Sequence, residues 1–460
     1  MTVVDSAGPS TPAPRRRLSL LDLRARLAGS RRNGLMFADT AINALTGVFL
    51  VAGAARHLDP RQLAAFSLAQ LMVTTMIGIL RSAVYGPAMA AQRATGRAVV
   101  PADWALAISA PTGVVLSAGL VLLVPGLGAD RLRAFLLMAV VAAVVLAQDG
   151  LRSALLSREL PAWALVADAL TFVALLAPIV LGVMPGSAIG VLVVWAATVG
   201  LGLLVSVVGL VRSRHANHVR QSLRSAWTLG RWATLDAVFA AIAYLLPMFM
   251  ATLYVGNSAA GTYRVLQTAL GPLNIIQTTV VTVFGLDAWQ TATLEGLRAL
   301  KRKVNVLFGG LFGLATACAA VGLPVMIAIT HLSDSHLSRI ALIVAAHGVM
   351  TATTTPFLAA SLALGYQKFG AIIRFVVLIA CVGVSLPVAG ARWVPWHDPI
   401  GTAMLLSSGF TLAGWMISYA AASRREEALL AGDDRRPVGA GGRKLQGYRG
   451  RHRSSGRLDP

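Results

Sequence analysis

From residue 34 to residue 421 the chain is a succession of long apolar runs, interrupted by short stretches of Gly, Pro and charge. A helix needs about 20 mostly apolar residues to cross the hydrocarbon core of a bilayer. Twelve runs of that kind can be read, at 34–55, 63–84, 104–124, 132–151, 162–183, 188–210, 233–253, 260–283, 304–329, 340–364, 371–389 and 400–421. The pattern predicts an all-α fold, a polytopic membrane protein with twelve transmembrane helices. The first thirty residues lack the apolar core of a signal peptide, so they are expected to stay on the chain.

Composition agrees with lipid as the main solvent. Of 460 residues 56% are hydrophobic and only 13% charged, with a mean hydropathy of +0.70; soluble domains carry about 25% charged residues. The two cysteines, Cys318 and Cys381, both lie in apolar runs. They provide neither a disulfide framework nor a metal cluster, and no cofactor or metal is expected. His331, Asp334 and His336 share one outer loop, a weak metal site without ordered supporting partners.

The formal charge of +21, from 40 Lys and Arg against 19 Asp and Glu, would suit nucleic acid, but its distribution argues for membrane topology. With the N-terminus in the cytoplasm, 31 of the 40 basic residues fall in inner segments, six in outer loops, and three (Arg81, Arg264 and Arg374) inside spans. That asymmetry places both termini in the cytoplasm and predicts contact with anionic membrane lipids rather than nucleic acid. Arg outnumbers Lys 36 to 4, which points to a high-GC bacterial genome and a bacterial cytoplasmic membrane. Residues 18–27 can form a short interfacial helix or remain a basic arm.

Spans 1 and 2 align with spans 7 and 8 at a constant offset of 197 residues, which matches Asp39 with Asp236, Phe66 with Tyr263 and Gln70 with Gln267. Six spans separate the copies, so the repeat is parallel and its axis runs along the membrane normal. The resulting organisation is a basic arm (1–33), an N-lobe of six helices (34–211), a basic linker (212–232), a C-lobe of six helices (233–421) and a disordered basic cytoplasmic tail (422–460). Substrate is expected between the lobes, and alternating access is the mechanism this geometry allows.

Ionisable groups in the spans narrow the chemistry, since a charge at the bilayer centre costs at least about 2.5–3.5 kcal/mol on insertion scales. Asp39, Arg81, Asp149, Arg152, Asp168, Asp236 and Arg374 all fall toward the cytoplasmic ends of their spans, and Arg264 toward the outer end of span 8. Snorkelling explains any one of them; together they predict a hydrated cytoplasmic vestibule with Arg and Asp partly paired. Asp149 and Arg152, three apart, can form an ion pair within one helix. His347 is a further ionisable residue within a span. Gln267, Asn274 and Thr278 share one face of span 8, beside Gly271 and Pro272, while Gln70 and Arg81 lie about three turns apart on span 2. Helix packing in lipid accounts for such polar residues equally well. No outer loop exceeds roughly a dozen residues, which leaves no room for the soluble domains of membrane glycosyltransferases. No phosphate loop for ATP hydrolysis is present either, so an enzyme is not expected.

Residues 56–85, RHLDPRQLAAFSLAQLMVTTMIGILRSAVY, and residues 254–283, YVGNSAAGTYRVLQTALGPLNIIQTTVVTV, resemble the paired helices that open each lobe in polysaccharide exporters. These are lipid-linked oligosaccharide flippases of the multidrug/oligosaccharidyl-lipid/polysaccharide (MOP) superfamily. Gly261 with Tyr263, and the stretch LALGYQKFGAII from Leu362 to Ile373, look like the same family. The resemblance implies a V of two six-helix lobes that moves a polyprenyl-diphosphate-linked glycan from the cytoplasmic to the outer leaflet, with glycan-assembly enzymes as candidate partners. It also implies cavity arginines on the diphosphate, for which Arg81, Arg264 and Arg374 are the analogues by type. Arg suits that role because it stays charged and donates bidentately. Gln70, Gln267 and Asn274 would line the substrate path, and Asp39 and Asp236 would carry a coupling proton.

Three other readings remain at this stage. A proton- or sodium-coupled multidrug antiporter of the same superfamily would use a span 1 acid such as Asp39. A major-facilitator transporter also has six plus six helices, but the loop after span 2, GPAMAAQRATGR, lacks that family's acidic pattern. A scaffold would recruit glycan enzymes through its basic tails.

Overall fold

The computed structural model describes residues 20–86, 98–99, 101–124, 130–213, 219–220, 223–254, 257–271, 273, 277, 280, 294–330, 337–364, 367–390 and 399–433. These form twelve α-helices: α1 (Leu20–His57), α2 (Pro60–Leu80), α3 (Ala102–Leu123), α4 (Arg131–Ser157), α5 (Pro161–Val180), α6 (Ala188–Arg212), α7 (Leu223–Tyr254), α8 (Asn257–Ala269), α9 (Leu294–Thr330), α10 (Leu337–Ala363), α11 (Gln367–Gly390) and α12 (Pro399–Asp433). Among the described residues, nine helices are long and apolar enough to cross a membrane.

Local chemistry sets where several helices begin. Pro60 and Pro161 open α2 and α5 at positions whose N–H would have no partner. The side chains of Asp59, Asp130 and Ser187 accept from the backbone N–H of Gln62, Arg133 and Gly190 at 2.8, 3.1 and 3.2 Å, capping α2, α4 and α6. Gly182, with φ of 66°, turns the chain after α5 in the left-handed region. A π-helical turn, Arg81–Tyr85, carries α2 onward.

Four helices run well beyond the apolar pattern: α7 begins at Leu223 rather than 233, within the expected linker, α9 begins at Leu294 rather than 304, and α1 and α12 are also extended. α1 is helical from Leu20 rather than 34, so the segment expected as a separate interfacial helix or arm continues the first span without a break. α12 continues past 421 to Asp433, because SRREEALLAGD contains strong helix formers and no proline. Lys301 Nζ, 2.5 Å from Glu427 Oε1, ties that extension to α9.

Both halves use one packing scheme. In the first, α1 packs on α5, α3 on α4, α4 on α6 and α5 on α6; in the second, α7 packs on α11, α9 on α10, α10 on α12 and α11 on α12. The sequence repeat is thus a repeat of architecture, in two six-helix lobes. The lobes meet where α2 lies against α8, with α2 on α7 and α1 on α8 at either flank.

An even number of helices returns the chain to the face where it started, here called the terminal face; the opposite face is distal. In the distal half, residues of both lobes form one continuous core, with Leu50, Phe66, Val145 and Leu192 joined to Tyr263, Leu270, Ala319 and Val344. In the terminal half the core divides. Tyr85, Trp104 and Leu155 belong to the N-lobe, and Leu300, Phe357 and Trp415 to the C-lobe. Two lobes fused at one end and separately cored at the other form a V that opens toward the terminal face, braced where the π-helical turn touches α7. Leu122, Val180 and Val115, each more than 70% exposed, lie on the outer surface, where only lipid would cover them.

Candidate functional site

The N-lobe buries a cluster of charge. Asp39 on α1, Asp149 and Arg152 on α4, and Asp168 on α5 are all buried, Asp39 completely. Arg152 is the bridge: Nη2 bonds Asp39 Oδ2, and Nε lies 3.1 Å from Asp168 Oδ2. Asn43, one turn after Asp39 and itself exposed, donates to the same Asp168 oxygen at 3.3 Å. Asp149 turns the other way and takes both Nε and Nη2 of Arg81, the first residue of the π-helical turn. The pair of Asp149 and Arg152 within one helix, offered by their spacing, is therefore not formed. Each has a better placed partner on a neighbouring helix.

Three carboxylates share two guanidiniums here, one acid more than base. Asp39 Oδ1 is buried with no hydrogen-bond partner among the described residues. A polar layer supports the cluster: Ser206 donates to Gln148 Oε1 at 3.2 Å, and Gly202 lets α6 approach so closely that a Cβ there would meet Thr171 Oγ1 at 2.4 Å. Sequence reasoning did not find Gln148, Thr171 or Ser206, because single hydroxyls and amides in apolar runs carry no periodic signal.

The C-lobe reuses the scaffold with different charges. Asp236 on α7, the repeat partner of Asp39, accepts from Arg374 Nε on α11 at 2.9 Å. Arg374 is the eighth residue of α11 and Asp168 the eighth of α5, so equivalent positions hold opposite charges. The Arg374 guanidinium lies over the ring of the fully buried Trp415, 5.8 Å from its centroid. Gly370, one turn earlier, provides the room, since a Cβ there would lie 2.3 Å from the same ring. Deeper in the lobe, His347 Nδ1 is 2.5 Å from Ser408 Oγ. That hydroxyl gives its own hydrogen to Met404 O at 2.7 Å, so the imidazole is the donor.

Two further candidates, Arg264 and Gln70, meet between the lobes. Arg264 on α8 donates from Nη2 to Gln70 Oε1 on α2 at 2.8 Å, within the fused distal core. Arg56, at the distal end of α1, donates to Ile329 O at the end of α9 at 3.0 Å. Gln267 is buried one turn from Arg264. Asn274, like His331, Asp334 and His336, lies outside the described residues. The Arg81 side chain is 40% exposed, against 18% for Arg374. Arg81, Arg152 and Arg374 are thus bound to acids, and Arg264 bridges to Gln70 across the lobes.

This arrangement of two pseudo-symmetric lobes is the fold of multidrug and toxic-compound extrusion (MATE) transporters of the MOP superfamily. An inward-facing multidrug resistance MATE family transporter matches with a TM-score of 0.62 at 15% identity, over 86% of this chain and 98% of its own. An outward-facing one matches with a TM-score of 0.60 at 14% identity, over 87% and 95%. A MOP superfamily transporter from Pyrococcus furiosus Vc1 (DSM3638), described as having a binding pocket of reversed polarity that suggests a different function, matches with a TM-score of 0.61 at 16% identity, over 87% and 95%. No family model and no curated protein matches the sequence.

Proposed function

We propose that the chain is an alternating-access transporter of the cytoplasmic membrane of a bacterium, and that its cargo is a polyprenyl-diphosphate-linked glycan flipped toward the outer leaflet for cell-surface polysaccharide. The V carries this reading: the lobes share one core at the distal face and separate toward the terminal face, where the basic segments concentrate. By the distribution of Lys and Arg that face is cytoplasmic. A lipid carrier can enter such an opening sideways from the inner leaflet, and its diphosphate meets Arg81 and Arg374, held by Asp149 and Asp236 in geometries that leave further N–H donors. Gln70 and Gln267, on the helices where the lobes meet, would line the path beyond.

A proton- or sodium-coupled export of small molecules is the second reading, favoured by the N-lobe cluster, whose surplus carboxylate is able to take a proton or cation in turn with transport. One experiment separates the two. Purified protein in liposomes is given a fluorescent polyprenyl-diphosphate oligosaccharide on one leaflet, and its arrival on the other is followed, beside uptake of a cationic dye under a proton gradient. Flipping without dye transport is the expected result. Dye transport with no movement of the lipid would overturn the flippase reading and leave the antiporter.

A further inference from the structure

On the terminal face, the starts of α7 and α11 bring two cations to one indole. Lys368 Nζ lies 5.4 Å from the centroid of the Trp232 ring, and Arg231 Cζ lies 5.7 Å from it. Both cationic side chains are exposed. Among the described residues neither is paired with a carboxylate, whereas Arg81, Arg152, Lys301 and Arg374 all are. In the N-lobe, where α5 meets the end of α6, one cation lies over one ring, Arg212 at 5.6 Å from Trp163, the ordinary anchor at a membrane–water boundary. Two like charges on one indole repel each other, and an anion between or above them relieves that repulsion.

Position identifies the anion. Arg231 and Lys368 precede the apolar stretches of their helices by a few residues, which is headgroup depth. Trp227, Phe369 and Ile372 beside them are exposed at 54%, 52% and 46%, an apolar surface that acyl chains would cover. The Asp236–Arg374 pair lies on the same two helices five and six residues further in, about 8–9 Å deeper at 1.5 Å per residue. We infer that Arg231, Lys368 and Trp232 form a binding site for the phosphate headgroup of an anionic phospholipid, clamping the α7–α11 seam of the C-lobe. The site belongs to the surrounding membrane and does not depend on what the transporter carries.

Native mass spectrometry of the full chain, titrated with phosphatidylglycerol or phosphatidylcholine, tests it. Each charge removed, by Arg231→Gln or Lys368→Gln, weakens phosphatidylglycerol about fivefold, and both together about thirtyfold, the size expected of cations at a membrane surface. The charge-preserving pair Arg231→Lys with Lys368→Arg keeps the affinity. On the unaltered protein, hydrogen exchange slows at residues 223–232 and 367–373 with phosphatidylglycerol and not with phosphatidylcholine, a readout that needs no variant to fold. Equal binding of the two lipids, unchanged affinity in the double Gln variant, or displacement of the lipid by millimolar inorganic phosphate would overturn the proposal.

Discussion

Arg152→Gln is the sharpest perturbation of the N-lobe. The guanidinium touches Asp39, which is completely buried, and lies 3.1 Å from Asp168, 5% exposed. Its removal leaves two carboxylates facing one another in a largely buried space. Taking one partner from a buried ion pair costs about 3–5 kcal/mol, mostly from the charge left behind. Unfolding of the purified protein in mixed micelles, followed by circular dichroism against denaturant, should show that loss. Asp39→Asn in the Arg152→Gln background removes part of the stranded charge and should recover at least about 1 kcal/mol, a non-additivity expected of groups in one network. Asp39→Asn alone should be milder than Arg152→Gln, because Arg152 keeps Asp168. If Arg152→Gln is as stable as the parent, or the double variant is no better than Arg152→Gln, the cluster is solvated and the reasoning fails.

Other outcomes follow from close packing and from the contacts between lobes. Gly113→Ala places a methyl 2.9 Å from Ala143 N and 3.0 Å from Ala139 O, backbone atoms that cannot turn aside, and should destabilise by about 1–3 kcal/mol; Gly53→Ala meets only the side chain of Ile179 and should lose less in the same unfolding assay. Gln70→Leu removes the acceptor for Arg264 across the distal interface and should raise labelling of a cysteine introduced on the distal half of α8; unchanged labelling would remove that contact from the closure of the distal face. Arg374→Lys cannot reproduce an Nε bond to Asp236 together with stacking on Trp415, so lipid flipping should fall more than in Arg56→Lys, with equal amounts of both proteins in the membrane.

Much of the scaffold is legible in the sequence, since a membrane demands a run of about 20 apolar residues for each crossing and the chain meets that demand repeatedly. The duplication is legible as well: Asp39 and Asp236 stand 197 residues apart, and each lies on the first helix of a lobe with the same neighbours. The partners of those acids are harder to read. Arg152 is 113 residues from Asp39 and Arg374 is 138 from Asp236, and nothing local distinguishes them from a basic residue snorkelling at a helix end. Spacing even favours the wrong pair at Asp149 and Arg152, because it reports what one helix permits and not what its neighbours bring. The two cations over Trp232 were invisible for the same reason, as the lysine belongs to another helix.

Opposite charges at the eighth residues of α5 and α11 have an electrical consequence. Asp39, Asp149 and Asp168 against Arg81 and Arg152 leave the N-lobe cluster one formal negative charge, while Asp236 and Arg374 cancel. A charge carried across the whole membrane exchanges about 2.3 kcal/mol with each 100 mV of potential. Rocking the N-lobe moves its uncompensated charge through part of that field, and rocking the C-lobe moves a neutral pair. The repeat has therefore built two ion-pair clusters on one scaffold, of which the N-lobe's carries a formal charge until a proton or cation joins Asp39 and its neighbours, and the C-lobe's Asp236–Arg374 pair does not.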